Sequence, residues 1–123
     1  MRRILIADDE PHVIRVLQVS LERAGFEVDS VADGEKALAS IMSEPPDALI
    51  TDIQMPRMSG EALCRKLNED YPEREYPIFV MTSRPELEHR EWSRAIPDLV
   101  FLEKPISMRN LVSQLTKRLG APS

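Results

Sequence analysis

Pro46-Asp47-Ala48-Leu49-Ile50-Thr51-Asp52-Ile53-Gln54-Met55-Pro56 carries a short apolar run straight into a carboxylate. The run Ala48-Leu49-Ile50 shows no apolar/polar alternation. A continuous apolar run suits a strand buried on both faces, as in a parallel sheet. Three other runs share this character: Ile4-Leu5-Ile6-Ala7, Ile78-Phe79-Val80-Met81 and Leu99-Val100-Phe101-Leu102. A fifth, Phe26-Glu27-Val28, alternates with Glu27 and Asp29 and is predicted to be an edge strand.

Helical stripes lie between the runs. Val13, Leu17, Leu21 and Ala24 share a face, with Ile14 beside them and Gly25 as the stop. Ala37, Leu38, Ile41 and Met42 form a shorter stripe closed by Pro45-Pro46, and Leu63, Cys64 and Leu67 a third after Gly60. Met108, Leu111, Val112, Leu115 and Leu119 form the last, with Gly120 beyond. The segment Pro85–Ile96 is rich in charge, with only Leu87, Trp92, Ala95 and Ile96 apolar, and is read as the fourth helix. The order is strand then helix, five times. Such alternation implies a doubly wound α/β fold: parallel strands, right-handed crossovers, helices on both faces.

The chain has 123 residues, enough for one core and too few for two, so residues 1–123 read as a single domain with its core over 4–119. Hydrophobic residues make up 42% and charged residues 30%, which fits a soluble globular protein and excludes disorder. No apolar run approaches the roughly 20 residues that cross a bilayer. The opening Arg2-Arg3-Ile4-Leu5-Ile6-Ala7 meets Asp8 and Asp9 at once, which is wrong for a signal-peptide core. A cytoplasmic protein is therefore expected, with no membrane contact. Cys64 is the single cysteine, so no internal disulfide forms. A net charge of −5 repels a phosphate backbone and argues against direct nucleic-acid binding.

The residues that follow the apolar runs carry the chemistry. Asp8 and Asp9 follow the first, Asp52 the third, Thr82 the fourth and Lys104 the fifth. In an open parallel sheet, ligands bind beyond the carboxyl ends of the strands. Four strands thus bring three carboxylates, a hydroxyl and an ammonium to one edge. Clustered carboxylates repel one another unless a cation lies among them. Mg²⁺, a hard ion that takes one or two carboxylates and bridges to phosphate, is the matching partner. Asp52 can then act as an oxygen nucleophile toward phosphorus. Lys104 can offset charge on the phosphoryl oxygens, and Thr82 can donate its hydroxyl to them. Singly, each residue has a plainer reading: Asp8 and Asp9 as helix caps, Thr82 as a cap, Lys104 as a solvated cation.

The pattern resembles the receiver domains of two-component response regulators, the family of the single-domain chemotaxis regulator. The matching pieces are Ile4–Glu10, Pro46–Pro56 with Gly60, Met81-Thr82-Ser83 and Phe101–Pro105. The resemblance implies a flavodoxin-like five-stranded sheet of order 2-1-3-4-5 with five helices. It implies Asp52 as phosphoacceptor, with the phosphoryl group coming from a sensor histidine kinase or a phosphotransfer protein. It further implies Asp9 as direct metal ligand, Asp8 through water, and the Gln54 carbonyl as backbone ligand. Thr82 is implied as the hydroxyl that moves to the phosphoryl group, Phe101 as the aromatic that follows it, and Lys104 as the phosphate-binding lysine with a cis bond to Pro105. Output to a partner protein or domain would run through the fourth helix, fifth strand and fifth helix. The chain departs from the family at Pro97-Asp98, where a small pair is usual, so that turn is expected to differ. Gln54 and Arg84 hold the two positions that tune the lifetime of the phosphoryl group.

Trp92 is read as packing on the sheet in preference to facing a partner, Cys64 as buried packing, and His12 and His89 as surface residues. Two rivals remain. A haloacid-dehalogenase-type phosphatase needs a second acid two residues after the nucleophile, where this chain has Gln54. A flavodoxin-like cofactor binder needs a Ser/Thr/Gly-rich loop after the first strand, where this chain has Asp8-Asp9-Glu10.

Overall fold

The five apolar runs become five parallel strands. In a computed structural model that describes residues 2–83 and 91–120, these are β1 (Arg3–Ala7), β2 (Glu27–Val31), β3 (Ala48–Asp52), β4 (Ile78–Thr82) and β5 (Leu99–Glu103). They pair in the order β2-β1-β3-β4-β5. The described helices are α1 (Pro11–Arg23), α2 (Gly34–Ser43), α3 (Gly60–Asp70), α4 (Glu91–Arg94) and α5 (Met108–Leu119). The fold is the flavodoxin-like α/β architecture expected from the sequence. Arg84, the Pro85–Arg90 part of the expected fourth helix with Leu87 and His89, and the tail Ala121-Pro122-Ser123 lie outside the described residues.

Two apolar layers follow from the pleat, because successive side chains of a strand point to opposite faces. Ile4, Ile6, Ile50, Phe79 and Met81 pack with Leu17 and Leu21 of α1 and Leu111 and Leu115 of α5. Leu5, Ala7, Leu49, Ile78 and Val80 pack on the other face with Ala37, Ile41, Leu63, Leu67, Trp92 and Ile96. Strands β1 from Ile4 on, β3 and β4 are therefore apolar at every step up to their chemical ends. β2 alternates, because it lies at an edge. β5 is apolar although it lies at the other edge, and Leu99, Val100 and Phe101 stay partly exposed there. Met42, counted in the second helical stripe, points away from the core and is 63% exposed. The α2 stripe is narrower than its sequence pattern implies.

Helix ends follow local chemistry. Pro11 opens α1, where its missing N–H costs nothing, and Gly25 follows it at φ 101°. Asp33, Ser59 and Ser107 cap α2, α3 and α5 by accepting from Lys36, Ala62 and Asn110 backbone N–H groups at 2.8, 3.1 and 3.2 Å. The unusual Pro97-Asp98 turn is built with Asp98 at φ 58°, a left-handed conformation that Asp tolerates better than most residues. Arg118 ion-pairs with Asp98, and Arg74 donates to the Pro97 carbonyl.

The strand register aligns the reactive ends. Ala7 pairs with Thr51, Asp52 with Met81, and Thr82 with Glu103. Helix α3 is pressed against that edge: the Gly60 N–H donates to the Ile53 carbonyl at 2.9 Å, and a Cβ on Gly60 would stand 2.1 Å from the Asp52 carbonyl oxygen. Gly60→Ala is therefore expected to destabilise the domain by about 3 kcal/mol, the upper end for forced overpacking. A Gly→Ala change inside an unconstrained helix has the opposite sign, gaining about 1 kcal/mol. Urea unfolding of the two proteins measures the difference.

Candidate functional site

Asp8, Asp9 and Asp52 each offer a carboxylate oxygen within 4.8 Å of the others. They reach that arrangement from two strands. Asp8 and Asp9 follow the end of β1, and Asp52 is the last residue of β3. Lys104 arrives from the end of β5, and its Nζ lies 3.0 Å from Asp52 Oδ1. Asp9, Glu10, Asp52, Gln54, Thr82 and Lys104 line one open cleft of about 750 Å³, with Ile53, Met55, Pro56 and Ser83 completing its wall. The sequence-predicted acids, hydroxyl and ammonium therefore share one place.

The three acids differ in environment. Asp9 is exposed, Asp52 is buried at the cleft floor, and Asp8 is fully buried. Asp8 Oδ1 accepts from the Glu10 N–H at 2.8 Å, while Oδ2 has no hydrogen-bond partner. Burial pushes the Asp8 carboxyl up to about 6, and the Asp52 charge adds to the rise; the Glu10 N–H and Lys104 oppose it. Burial alone would lower the Lys104 ammonium, but its bond to Asp52 and the charges of Asp52, Asp8 and Glu10 outweigh that and raise it. Lys104 is thus held as a cation among acids. The helix-cap reading of Asp9 does not hold, since Glu10 is the N-cap of α1 and no side chain caps that helix. Asp8 does bond locally, through Oδ1 alone.

Asp52 itself is firmly placed. Its Oδ1 also accepts from the Ile53 N–H at 3.0 Å, and Thr51 Oγ1 donates to its carbonyl at 2.9 Å. The Lys104 N–H donates to the Thr82 carbonyl at 2.9 Å, which ties the β4 and β5 ends together. The Lys104-Pro105 bond is cis. Phe101 does not line the cleft. Its ring meets Trp92 edge-on, centroids 5.9 Å apart, in the layer of α2, α3 and α4. Trp92 is buried, as the packing reading expects, and so is Cys64, whose thiol burial pushes up to about 12.

The residues fit a divalent cation on the structure's own terms. A buried carboxylate oxygen without a partner, beside two more carboxylates, is costly unless a positive charge offsets it. The acceptors are all hard oxygens, the donor set of Mg²⁺. Two contributions were not visible in the sequence. One is the room that Gly60 leaves for the Asp52 backbone. The other is Arg57, which nothing in its own sequence surroundings singles out and whose partner, Asp33, is 24 residues away.

The family model for the response regulator receiver domain matches residues 4–116. The chain is 30% identical to the alkaline phosphatase synthesis transcriptional regulatory protein PhoP of Bacillus subtilis, over 99% of this chain and 52% of that protein. It is 34% identical to the response regulator MprA of Mycobacterium avium, over 92% of this chain and 49% of that protein. The solved chemotaxis response regulator CheY4 of Vibrio cholerae is similar at a TM-score of 0.84 and 27% identity, over 95% of this chain and 98% of that one. The chain belongs to the response regulator receiver domain family, the phosphorylation-activated signalling switches of two-component systems. It spans about half the length of the curated relatives it matches.

The raised Asp8 carboxyl makes the site pH-sensitive. In the metal-free domain the folded state holds the Asp8 proton more tightly than the unfolded chain, whose value is near 3.8. Stability from this group is therefore full below about 4 and declines as pH rises to about 6, by on the order of 2 kcal/mol. Unfolding in EDTA across that window is expected to show the decline, and Asp8→Asn to flatten it. Mg²⁺ affinity should move the opposite way, weakening as pH falls below about 6; calorimetric titration at several pH values measures it.

Proposed function

We propose that Asp52 is the phosphoacceptor of this domain, with Asp8, Asp9 and the Gln54 carbonyl joining it to hold Mg²⁺. The observation that carries this reading is the convergence of Asp8, Asp9, Asp52 and Lys104 on one cleft. Among the described residues, both polar contacts to the Asp52 carboxylate fall on Oδ1, and we read Oδ2 as the oxygen presented to phosphorus. Attack forms an Oδ–P bond and breaks the bond from phosphorus to the donor, a histidine nitrogen of a sensor kinase or phosphotransfer protein. Bound Mg²⁺ supplies positive charge for the phosphoryl oxygens. Lys104 follows the new charge from its place 3.0 Å away, and the Thr82 hydroxyl donates to the same group.

The domain is regulatory, and we read it as having no turnover beyond its own phosphorylation and dephosphorylation. Residues 1–123 act as one receiver unit in the cytoplasm. No described helix is long and apolar enough to cross a membrane. Output is read through the face made by α4, β5 and α5, toward a partner protein or an attached domain, without direct nucleic-acid contact by this unit. The phosphatase and cofactor-binder rivals draw no support from the relatives. Gln54, lining the cleft where the phosphatase would need an acid, cannot transfer a proton.

Acetyl phosphate with Mg²⁺ is the direct test. A single phosphoryl adduct is expected by mass spectrometry, absent in Asp52→Ala and absent in EDTA. Catalytic turnover of phosphomonoesters, or an adduct that survives Asp52→Ala, would overturn the assignment.

The switch adds charge and acceptor oxygens at Asp52, draws in Thr82, and moves Phe101 into the space vacated. Because Phe101 meets the Trp92 ring edge-on, its movement has a built-in reporter. Beryllofluoride with Mg²⁺ is expected to change Trp92 fluorescence in the unsubstituted domain and to change it little in Thr82→Ala. An equal response in both would show that Thr82 does not drive Phe101.

A further inference from the structure

The loop that follows Asp52 packs Ile53, Met55 and Met58 on the core, and three closer contacts hold it. At its two ends, the Gly60 N–H donates to the Ile53 carbonyl at 2.9 Å. Near its far end, Met58 lies against the start of α2 so closely that a Cβ on Gly34 would stand 2.2 Å from the Met58 carbonyl oxygen. Between them, Arg57 Nη1 lies 2.8 Å from Asp33 Oδ2. Asp33 is fully buried and uses both oxygens: Oδ1 caps α2 through the Lys36 N–H, and Oδ2 takes the guanidinium. The cap, burial and the Arg57 charge act on its carboxyl in that order, and the net result holds it below the usual range. Arg57 reaches it from a backbone at φ 66°, a region that residues with a Cβ seldom adopt. A residue kept in that conformation is held by its surroundings. Gln54 lies on the same loop, between Asp52 and Arg57, and lines the cleft.

We propose that Arg57 is a positioning residue for the metal and phosphoryl site, acting through its ion pair with Asp33 to hold the loop that carries Gln54. The inference rests on the reading of the Gln54 carbonyl as a metal ligand. The other holds on this loop are main-chain contacts and the apolar packing of Ile53, Met55 and Met58, so the Arg57–Asp33 pair is its charged anchor among the described residues. Releasing it leaves the β3 end, the α2 cap and the apolar packing in place and removes the charged restraint on the loop between them. A metal ligand on a loosened loop must be ordered further when the ion binds, which weakens binding.

Calorimetric Mg²⁺ titration of the whole 123-residue domain tests this, with Arg57→Ala, Asp33→Asn and the double variant. Asp33→Asn keeps an oxygen for the Lys36 cap and removes the charge. Each single variant is expected to bind Mg²⁺ about tenfold more weakly, the lower end for losing a group behind a metal ligand. The double variant is expected to bind no more weakly than either single one, because the two residues act as a unit. Arg57→Gly, which suits the left-handed backbone, supplies the same comparison if Arg57→Ala folds poorly. Thermal unfolding in EDTA is run alongside. Unchanged Mg²⁺ affinity in the variants, with or without a lower Tm, overturns the positioning role while the metal reading stands. Absence of Mg²⁺ binding by the unsubstituted domain overturns the metal reading and this inference together.

Discussion

Mutual repulsion among three carboxylates governs the chemical end of this molecule. Asp8, Asp9 and Asp52 lie close enough to share one ion, and Asp8 is buried with an oxygen that has no hydrogen-bond partner among the described residues. In water such a cluster would spread apart. Here the sheet forbids it, because the acids stand at the ends of neighbouring strands whose backbones are locked in register. The positive charge of Lys104 offsets part of the repulsion and leaves room for a divalent cation. A site that is electrostatically unfinished when empty is one whose state a phosphoryl group and a metal can change.

The rest of the fold serves that constraint. Three central strands are apolar on both faces and therefore rigid, so the reactive ends inherit their order. Helix α3 is brought onto the Asp52 backbone at Gly60, and α2 onto the following loop at Gly34. These contacts leave no room for a Cβ, so backbone meets backbone at both places. Binding sites carried by loops on a rigid scaffold follow the same logic elsewhere. The β5 edge differs. β5 is only partly covered, and Phe101 and Trp92 meet there edge to face. A stiff centre and a looser edge suit a switch whose chemical event is felt at a distance.

The likeness to PhoP, MprA and CheY4 is one of the whole domain. These relatives share well under half of their residues with this chain, yet the similarity runs over nearly its whole length. The Pro97-Asp98 turn shows how a departure is absorbed. Asp98 adopts the left-handed backbone, and Arg74 from the loop before β4 and Arg118 from α5 hold the turn. The change remains local, and the strand order is unaffected.

Much of this was legible in the chain itself. Continuous apolar runs marked the buried strands, since a strand covered on both faces has no reason to alternate. The residues directly after those runs marked the site, because parallel strands present their ends to one edge. Caps and stops at Asp33, Ser59, Gly25 and Gly120 are local chemistry and act where they stand in the sequence. Tertiary structure alone decided the rest. The burial of Asp8, the exposure of Met42, the closeness of Gly60 to Asp52 and the pairing of Arg57 with Asp33 all depend on how separate elements pack. Those distances are set by contacts between segments far apart in the chain, and no local pattern of residues encodes them.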